Sequence, residues 1–493
     1  MKTKTILCLI SGLLLTITAC KDYLKENPPG ELAPDNLLTT KEGVEAILNN
    51  AYLEYKWNYG FHEALMSTAE YPCDVLFQSG GGMNIKFILM SQFQWTPSTS
   101  TSNDAIWGSK YKSIRDANIV IDNIDNFTAD AAVKKQLLAE ARYIRAVDYY
   151  YLYDAFGPVP LRISSIDPPD LPRASEEEIL TFIETELQEA AIDLPFPGTE
   201  EYNGRATKGA ALGYLARHYL NTKQWQKAVD ATQDVFDLGY YELFPSYRDL
   251  FKVENEPDKN PGNREMIAVS VNTNVDPYGT KISAAAMPPA FAYTPQIPEF
   301  MAVGIANWAA QFRIYSSFIT GMDTTNDKRF DLIFTRYVNT SGATVNLMST
   351  PNNLRTLKFF DNGAEVASHG NDHPMLRYAD ILLMRAEALN ELNGPTQAAI
   401  DLIDEVRNRA GLGDLVLADF PDKAALRDHI LIERKWEFYY EGLRRSDLIR
   451  HGKFISGARA RGVAVAADYH VRYPIPQNEM DANPNMMQNE GYE

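Results

Sequence analysis

Two pairs of apolar-periodic segments repeat one another in this chain, and that repetition constrains its fold more than any single stretch. Ala216, Tyr219 and Ala228 fall at relative positions 0, 3 and 12, and Ala386, Leu389 and Ala398 fall at the same offsets. Small residues at the first and last of these positions let two antiparallel helices approach closely, while the larger residue between them fills the groove. Ala146 and Tyr149 begin the same pattern, which the segment from Gly157 to Arg173 interrupts. The spacing predicts three or four degenerate helix pairs stacked into a short, interrupted solenoid, with generic helix-hairpin packing as the alternative.

Helical periodicity extends well beyond those pairs. Amphipathic stretches run from Glu42 to Tyr55, Ile106 to Ile124, Ala131 to Phe156, Glu176 to Leu194, Thr207 to Leu220, Trp225 to Leu238, Leu376 to Leu392, Thr396 to Ala410 and Lys423 to Tyr440. Their ends are punctuated: Ser175 with Glu178 forms a capping box, Gly157-Pro158 stops one helix, and Gly411 and Gly442 suit C-terminal caps. Two segments read differently, near 71–104 and 254–370, where Pro, Gly, Asn and Thr are frequent and helical spacing is poor. Long irregular segments of this kind tend to carry function. The expected fold class is therefore mainly α, a degenerate tetratricopeptide-like helix-pair solenoid with large loop-rich insertions carrying little β structure.

The N-terminus bears on the compartment. Lys2 and Lys4 precede an uncharged, mostly apolar run from Thr5 to Ala19, too short to span a bilayer and built like a secretory signal. Ile17-Thr18-Ala19-Cys20 resembles the bacterial lipobox, which makes Cys20 the expected lipidated N-terminus of the mature chain. The expected organisation is a signal peptide over 1–19, a polar tether over 20–35, and one body over 36–493. Cys73 is then the single thiol of that body, read as a small buried residue. With 47 basic and 65 acidic residues the formal charge is −18, the wrong sign for a surface that must neutralise phosphates. Nucleic acid is not an expected partner.

Signals for catalysis are sparse. Gly80-Gly81-Gly82 lacks the other residues of a phosphate loop, and His369-Gly-Asn-Asp-His373 lacks a helical zinc frame, so it reads as an exposed loop before a helix rather than a metal site. Asp323 and Asp327 have the chemistry of a glycosidase pair, but a chain with 65 acids contains such pairs by chance. The expectation is a protein without catalytic residues, cofactor or metal.

Several motifs together resemble one family. Cys20-Lys-Asp-Tyr-Leu, Trp107 with Tyr111 and Asn118, Ala141-Arg-Tyr-Ile-Arg-Ala146, Phe156-Gly-Pro-Val-Pro160 and Arg205-Ala-Thr-Lys208 are similar to SusD/RagB-type nutrient-binding outer-membrane lipoproteins of Bacteroidota. So are Leu376 to Ala388, Glu433-Arg434, Glu441 to Arg450, Tyr473 to Asn478 and Gln488 to Tyr492. The resemblance implies a non-catalytic, lipid-anchored protein of the outer membrane, facing outward, that captures oligosaccharide as the lid of a TonB-dependent, SusC-like transporter. The motifs themselves read as scaffold, with Glu437, Glu441, Arg444, Arg445 and Asp447 spaced to pair along and after one helix. Ligand contacts are expected in the loop-rich segments instead. Rings at Trp308, Tyr293 and Trp95 would stack on a sugar face, and Asp74, Asn103 and Arg313 would bond its hydroxyls; for Trp95 a packing role competes. A helical-repeat scaffold binding a protein or peptide is the alternative function, and a surface glycosidase a third.

Overall fold

The computed structural model describes residues 37–55, 64–78, 85–98, 101–276, 278–302, 304–307 and 312–493, with only the backbone of 85–86 and 101–104. Cys20, the tether, the triple glycine and Trp308 lie outside the described residues.

The long helices are α1 (Lys41–Tyr55), α2 (Thr101–Asp122), α3 (Ala131–Phe156), α4 (Glu176–Asp193), α5 (Lys208–Asn221), α6 (Trp225–Asp237), α7 (Tyr378–Asn393), α8 (Gln397–Arg409) and α9 (Lys423–Glu437). From α1 to α8 each packs against its neighbour in the series, and α9 packs back against α7. Local chemistry sets their ends. The Ser175 hydroxyl accepts from the Glu178 amide at 3.2 Å while the Glu178 carboxylate accepts from the Ser175 amide at 2.7 Å, closing the anticipated capping box. Gly411, at φ +83°, follows α8 in the left-handed conformation that a Cβ disfavours.

Two details of the repeat differ from the expectation. Ala216, Ala228 and Ala386 are buried, but Ala398 is exposed and Ala399 takes its place in the core. α7 has 16 residues against 14 in α5, and the helix that follows it turns Ala399 and Ile400 into the core. Gly442 is not the cap of α9, which ends at Glu437; it sits in the turn before a short helix, Arg444–Arg450, where any Cβ would meet the Leu65 side chain.

The long insertion carries eight of the ten described strands, each of two to five residues. β3 (Phe291–Thr294), β4 (Ile297–Met301), β7 (Arg336–Asn339) and β8 (Thr344–Asn346) form one sheet in the order β4-β3-β7-β8. The other ladders have two strands: β1 (Leu76–Phe77) with β5 (Arg313–Ile314), β2 (Met266–Ser270) with β10 (His373–Arg377), and β6 (Ile333–Phe334) with β9 (Arg355–Thr356). β2 and β10 lie against α5 and tie the insertion to the solenoid.

Carboxylates and guanidiniums stitch the C-terminal third together. The charges at and after the end of α9 do pair: Asp447 with Arg434 of α9 and with Arg450 on its own short helix, and most of the others with partners far away in sequence. Glu437 meets Arg377 at 2.6 Å and also Arg409; Glu441 meets Arg377 at 2.8 Å and Lys358 at 2.6 Å. Arg444 holds Asp74 at 2.7 Å, Arg445 holds Asp154 at 3.1 Å, and Asp447 bridges Arg434 and Arg450 at 2.9 and 2.8 Å. Burial alone would raise the Glu437 carboxyl; Arg409, Arg377 and Arg329 overcome it and bring it down to about 2. Among the described residues no helix is long and apolar enough to cross a membrane.

Candidate functional site

The two loop-rich segments meet in a narrow ladder. Leu76 pairs with Ile314 and Phe77 with Arg313 across β1 and β5, and the Tyr315 amide donates to the Val75 carbonyl at 3.1 Å. On its other edge β5 bridges Leu354, whose carbonyl accepts from the Ile314 amide at 2.9 Å. Strand alternation explains the division of labour: Leu76, Ile314 and Leu354 are buried, which leaves Phe77, Arg313, Tyr315 and Arg355 on the opposite face. Phe77 and Tyr315 are half-buried, and their rings meet edge-on with centroids 5.3 Å apart. Because Ile314 and Leu354 are antiparallel partners, Arg313 and Arg355 stand directly opposite one another.

Electrostatically the ladder is cationic. Arg313 is half-buried, and its Nε is enclosed without a hydrogen-bond partner. Arg355 is only 1% exposed and donates to the Ala286 carbonyl at 3.0 Å and to the Asn353 side chain at 2.9 Å. Burial, and then Arg313 beside it, push the Arg355 guanidinium down to about 10. Beyond the ladder, burial would raise the Asp74 carboxyl, but Arg444 takes it well below the usual carboxylate range.

The anticipated contacts divide accordingly. Tyr293 lies on β3, half-buried and paired in register with Met301 and Val338. Arg313 lies on the ladder. Asp74 accepts from Arg444 through both carboxylate oxygens, at 2.7 and 2.9 Å, so it is an ion-pair partner first. Trp95 is a core residue: it is 3% exposed, packs against Phe93, His470 and Tyr473 with centroids 4.7 to 5.2 Å away, and donates from Nε1 to the Tyr492 hydroxyl at 2.7 Å. No ring face is left for a sugar. Asn103 falls in the first turn of α2, its side chain outside the described residues, as is Trp308. Phe77, Tyr315 and Arg355 were not anticipated; the alternation Arg313-Ile314-Tyr315 is the sequence signal that points to them.

Other candidates resolve into structure. Asp323 caps the turn at Thr325 and Asn326 at 3.1 Å, and Asp327 is buried against Arg329 at 2.7 Å. His369 and His373 are buried rather than in an exposed loop, and burial depresses them to about 4 and about 3. Cys73 is buried, as expected, and burial pushes its thiol up.

Comparison with known proteins now fits this geometry. A profile described as the SusD family matches residues 221–492, and one described as "Starch-binding associating with outer membrane" matches 22–220. The chain belongs to the SusD family. SusD-like protein P25 of Formosa agariphila is 25% identical over 538 residues, covering 97% of this chain and 98% of that relative. Starch-binding protein SusD of Bacteroides thetaiotaomicron is 26% identical over 501 residues, covering 88% of this chain and 86% of its own length. Among solved structures, a laminarin binding SusD-like protein superposes with a TM-score of 0.77 at 22% identity, over 92% of this chain and 100% of that one. Surface glycan-binding protein A from Bacteroides thetaiotaomicron, in complex with laminarihexaose, gives 0.74 at 20% identity over the same shares.

This SusD-family chain is mainly helical and non-catalytic, like the family it belongs to. The motifs behind the resemblance are scaffold. Arg145 joins Asn118 at 2.7 Å and Glu186 at 2.9 Å, Arg205 meets Glu140 at 2.8 Å, and Asn489 donates to the carbonyls of Phe156 and Tyr473 at 2.9 and 2.7 Å.

Proposed function

We propose that this SusD-family protein is a non-catalytic, glycan-binding lipoprotein of the outer membrane, anchored through Cys20, that captures oligosaccharide outside the cell as the lid of a TonB-dependent transporter. The observation that carries this reading is the end-to-end likeness to proteins named for binding starch, laminarin and surface glycan. A polar tether over 20–35 leaves the body free to move over a pore.

The ligand surface in this reading comprises Tyr293, Arg313, Trp308 and Asn103 with the ladder residues Phe77 and Tyr315; Asp74 supports it through Arg444. A sugar face covering roughly 50 to 100 Å² of a ring contributes about 1 to 2.5 kcal/mol. Two or three such rings at best modestly exceed an association cost of at least ~4 kcal/mol, and hydrogen bonds from residues such as Asn103 and Arg313 to sugar hydroxyls bring affinity into the range of roughly mM to tens of µM. Weak binding suffices on a tethered lid, which presents its ligand to the transporter at high effective concentration.

The test is retardation of the mature protein in gels containing polysaccharide. Tyr293→Ala and Trp308→Ala should each weaken binding about tenfold, or ~1.4 kcal/mol, without lowering the melting temperature. Retardation by no polysaccharide, alongside specific capture of a periplasmic or surface peptide, would replace the glycan with a protein ligand. Cys20→Ser should release the chain from membranes, and mild-detergent purification from the host should recover a TonB-dependent barrel with it.

A further inference from the structure

The buried arginines of this chain follow one rule with one exception. Arg329, Arg355, Arg377 and Arg445 are the most completely buried among the described residues. Arg329 has Asp327 at 2.7 Å, Arg377 has Glu265 at 2.7 Å, and Arg445 has Asp154 at 3.1 Å. Arg355 has no carboxylate within ion-pair distance among the described residues; every group it donates to is a neutral oxygen. Its cross-strand neighbour is another arginine, Arg313, which also lacks an ion pair there and keeps an unbonded Nε. Like charges directly opposite on adjacent strands destabilise a sheet, and a buried guanidinium cannot shed its proton to escape. The chain has 65 acids, yet among the described residues none serves as a counter-ion here.

From this geometry we infer that the Arg313–Arg355 pair receives an anionic substituent, a carboxylate or a sulfate ester, on the oligosaccharide that the protein binds. The inference rests on the glycan-binding reading above and adds the ligand class. A guanidinium presents a planar fork of donors that matches two oxygens of either group. Arg313 is half-buried and so reaches solvent, while Arg355 stands behind it as fixed positive charge. Phe77 and Tyr315, on the same face, offer ring surface to the sugar that carries the anion. Burial lowers both guanidiniums, and Arg313 lowers Arg355 further, the direction expected of cations waiting for a counter-ion. The protein as a whole is acidic, so an acidic glycan is repelled elsewhere on its surface and is directed to this ladder.

The experiment compares the melting temperature of the whole mature chain in sodium sulfate, in sodium glucuronate and in sodium chloride at equal ionic strength. Wild type should gain about 1 to 2 °C more than Arg313→Gln in at least one of the first two salts. The salt that works distinguishes sulfate from carboxylate, and Arg313→Lys should keep part of the gain. Equal shifts in wild type and Arg313→Gln in both salts would overturn the anion site. So would a large fall in the variant's melting temperature in chloride, which would make Arg313 structural. Gel retardation separates this from the function itself: binding to neutral glycans without any anion effect leaves that function standing and removes this inference. An Arg313-dependent anion effect without retardation by any glycan does the reverse.

Discussion

Arginines do opposite things in two parts of this molecule. In the C-terminal third Arg329, Arg377, Arg434 and Arg450 are buried, and each holds at least one carboxylate at 2.5 to 2.9 Å. On the β5 ladder Arg313 and Arg355 face each other, and among the described residues no acid pairs with either. Glu70 supplies the instructive third case. It is fully buried, accepts from the Gly442 amide at 2.9 Å through one oxygen, and has no partner for the other. Burial raises it to about 8 in spite of the Gly442 amide and Arg444, so it resolves its isolation by keeping a proton. Arginine has no such exit. An unpaired buried acid can therefore be a neutral structural group, whereas Arg355, buried behind the half-buried Arg313, keeps its charge.

The largest effect should come from breaking the paired side of the contrast. Glu437→Gln leaves Arg377, Arg409 and Arg329 short of a charge in the core and should cost about 3 to 5 kcal/mol in denaturant unfolding. Trp95→Ala should cost about 3 kcal/mol with glycan retardation unchanged; a variant that keeps its stability but loses binding would return Trp95 to the ligand surface.

Glu70→Gln tests the proton. Between pH 4.5 and about 8 the folded chain holds a proton on Glu70 that the unfolded chain has released, so wild-type stability from this group falls as pH rises. The glutamine variant keeps the acceptor and lacks that slope. Measured from pH 5 to 8, its stability relative to wild type should climb by up to about 1.4 kcal/mol per pH unit. A constant difference would mean that Glu70 is ionised in the folded state. The smallest effect is expected at the unpaired side: Arg313→Gln should change stability by under about 1 kcal/mol, and upward, since it removes a like-charge neighbour and no ion pair.

What could be read from the chain alone follows from the range of the physics involved. Helix positions, the capping box at Ser175 and the left-handed Gly411 depend on residues three or four places apart, and the structure has them where the periodicity put them. The place of Ala399 rather than Ala398 in the core escaped because it depends on where α7 ends and α8 begins, which periodicity does not resolve well. Family membership was also legible, since it rests on motifs whose spacing is itself sequence.

Partners distant in the chain were not legible. Spacing suggested pairing along and after one helix, which Asp447 follows with Arg434 and Arg450, yet Glu437 and Glu441 find Arg377 and Lys358 on other elements, because only the packed core brings those segments beside α9. Trp95 and Trp308 look alike as loop tryptophans, and it took the closing of the C-terminus over Trp95, through Tyr473 and Tyr492, to make it core. Arg313 was visible as a polar residue in a loop-rich segment. That Arg355 stands opposite it is a property of strand pairing: a single backbone bridge between Ile314 and Leu354 decides it, and no local rule of sequence encodes that bridge.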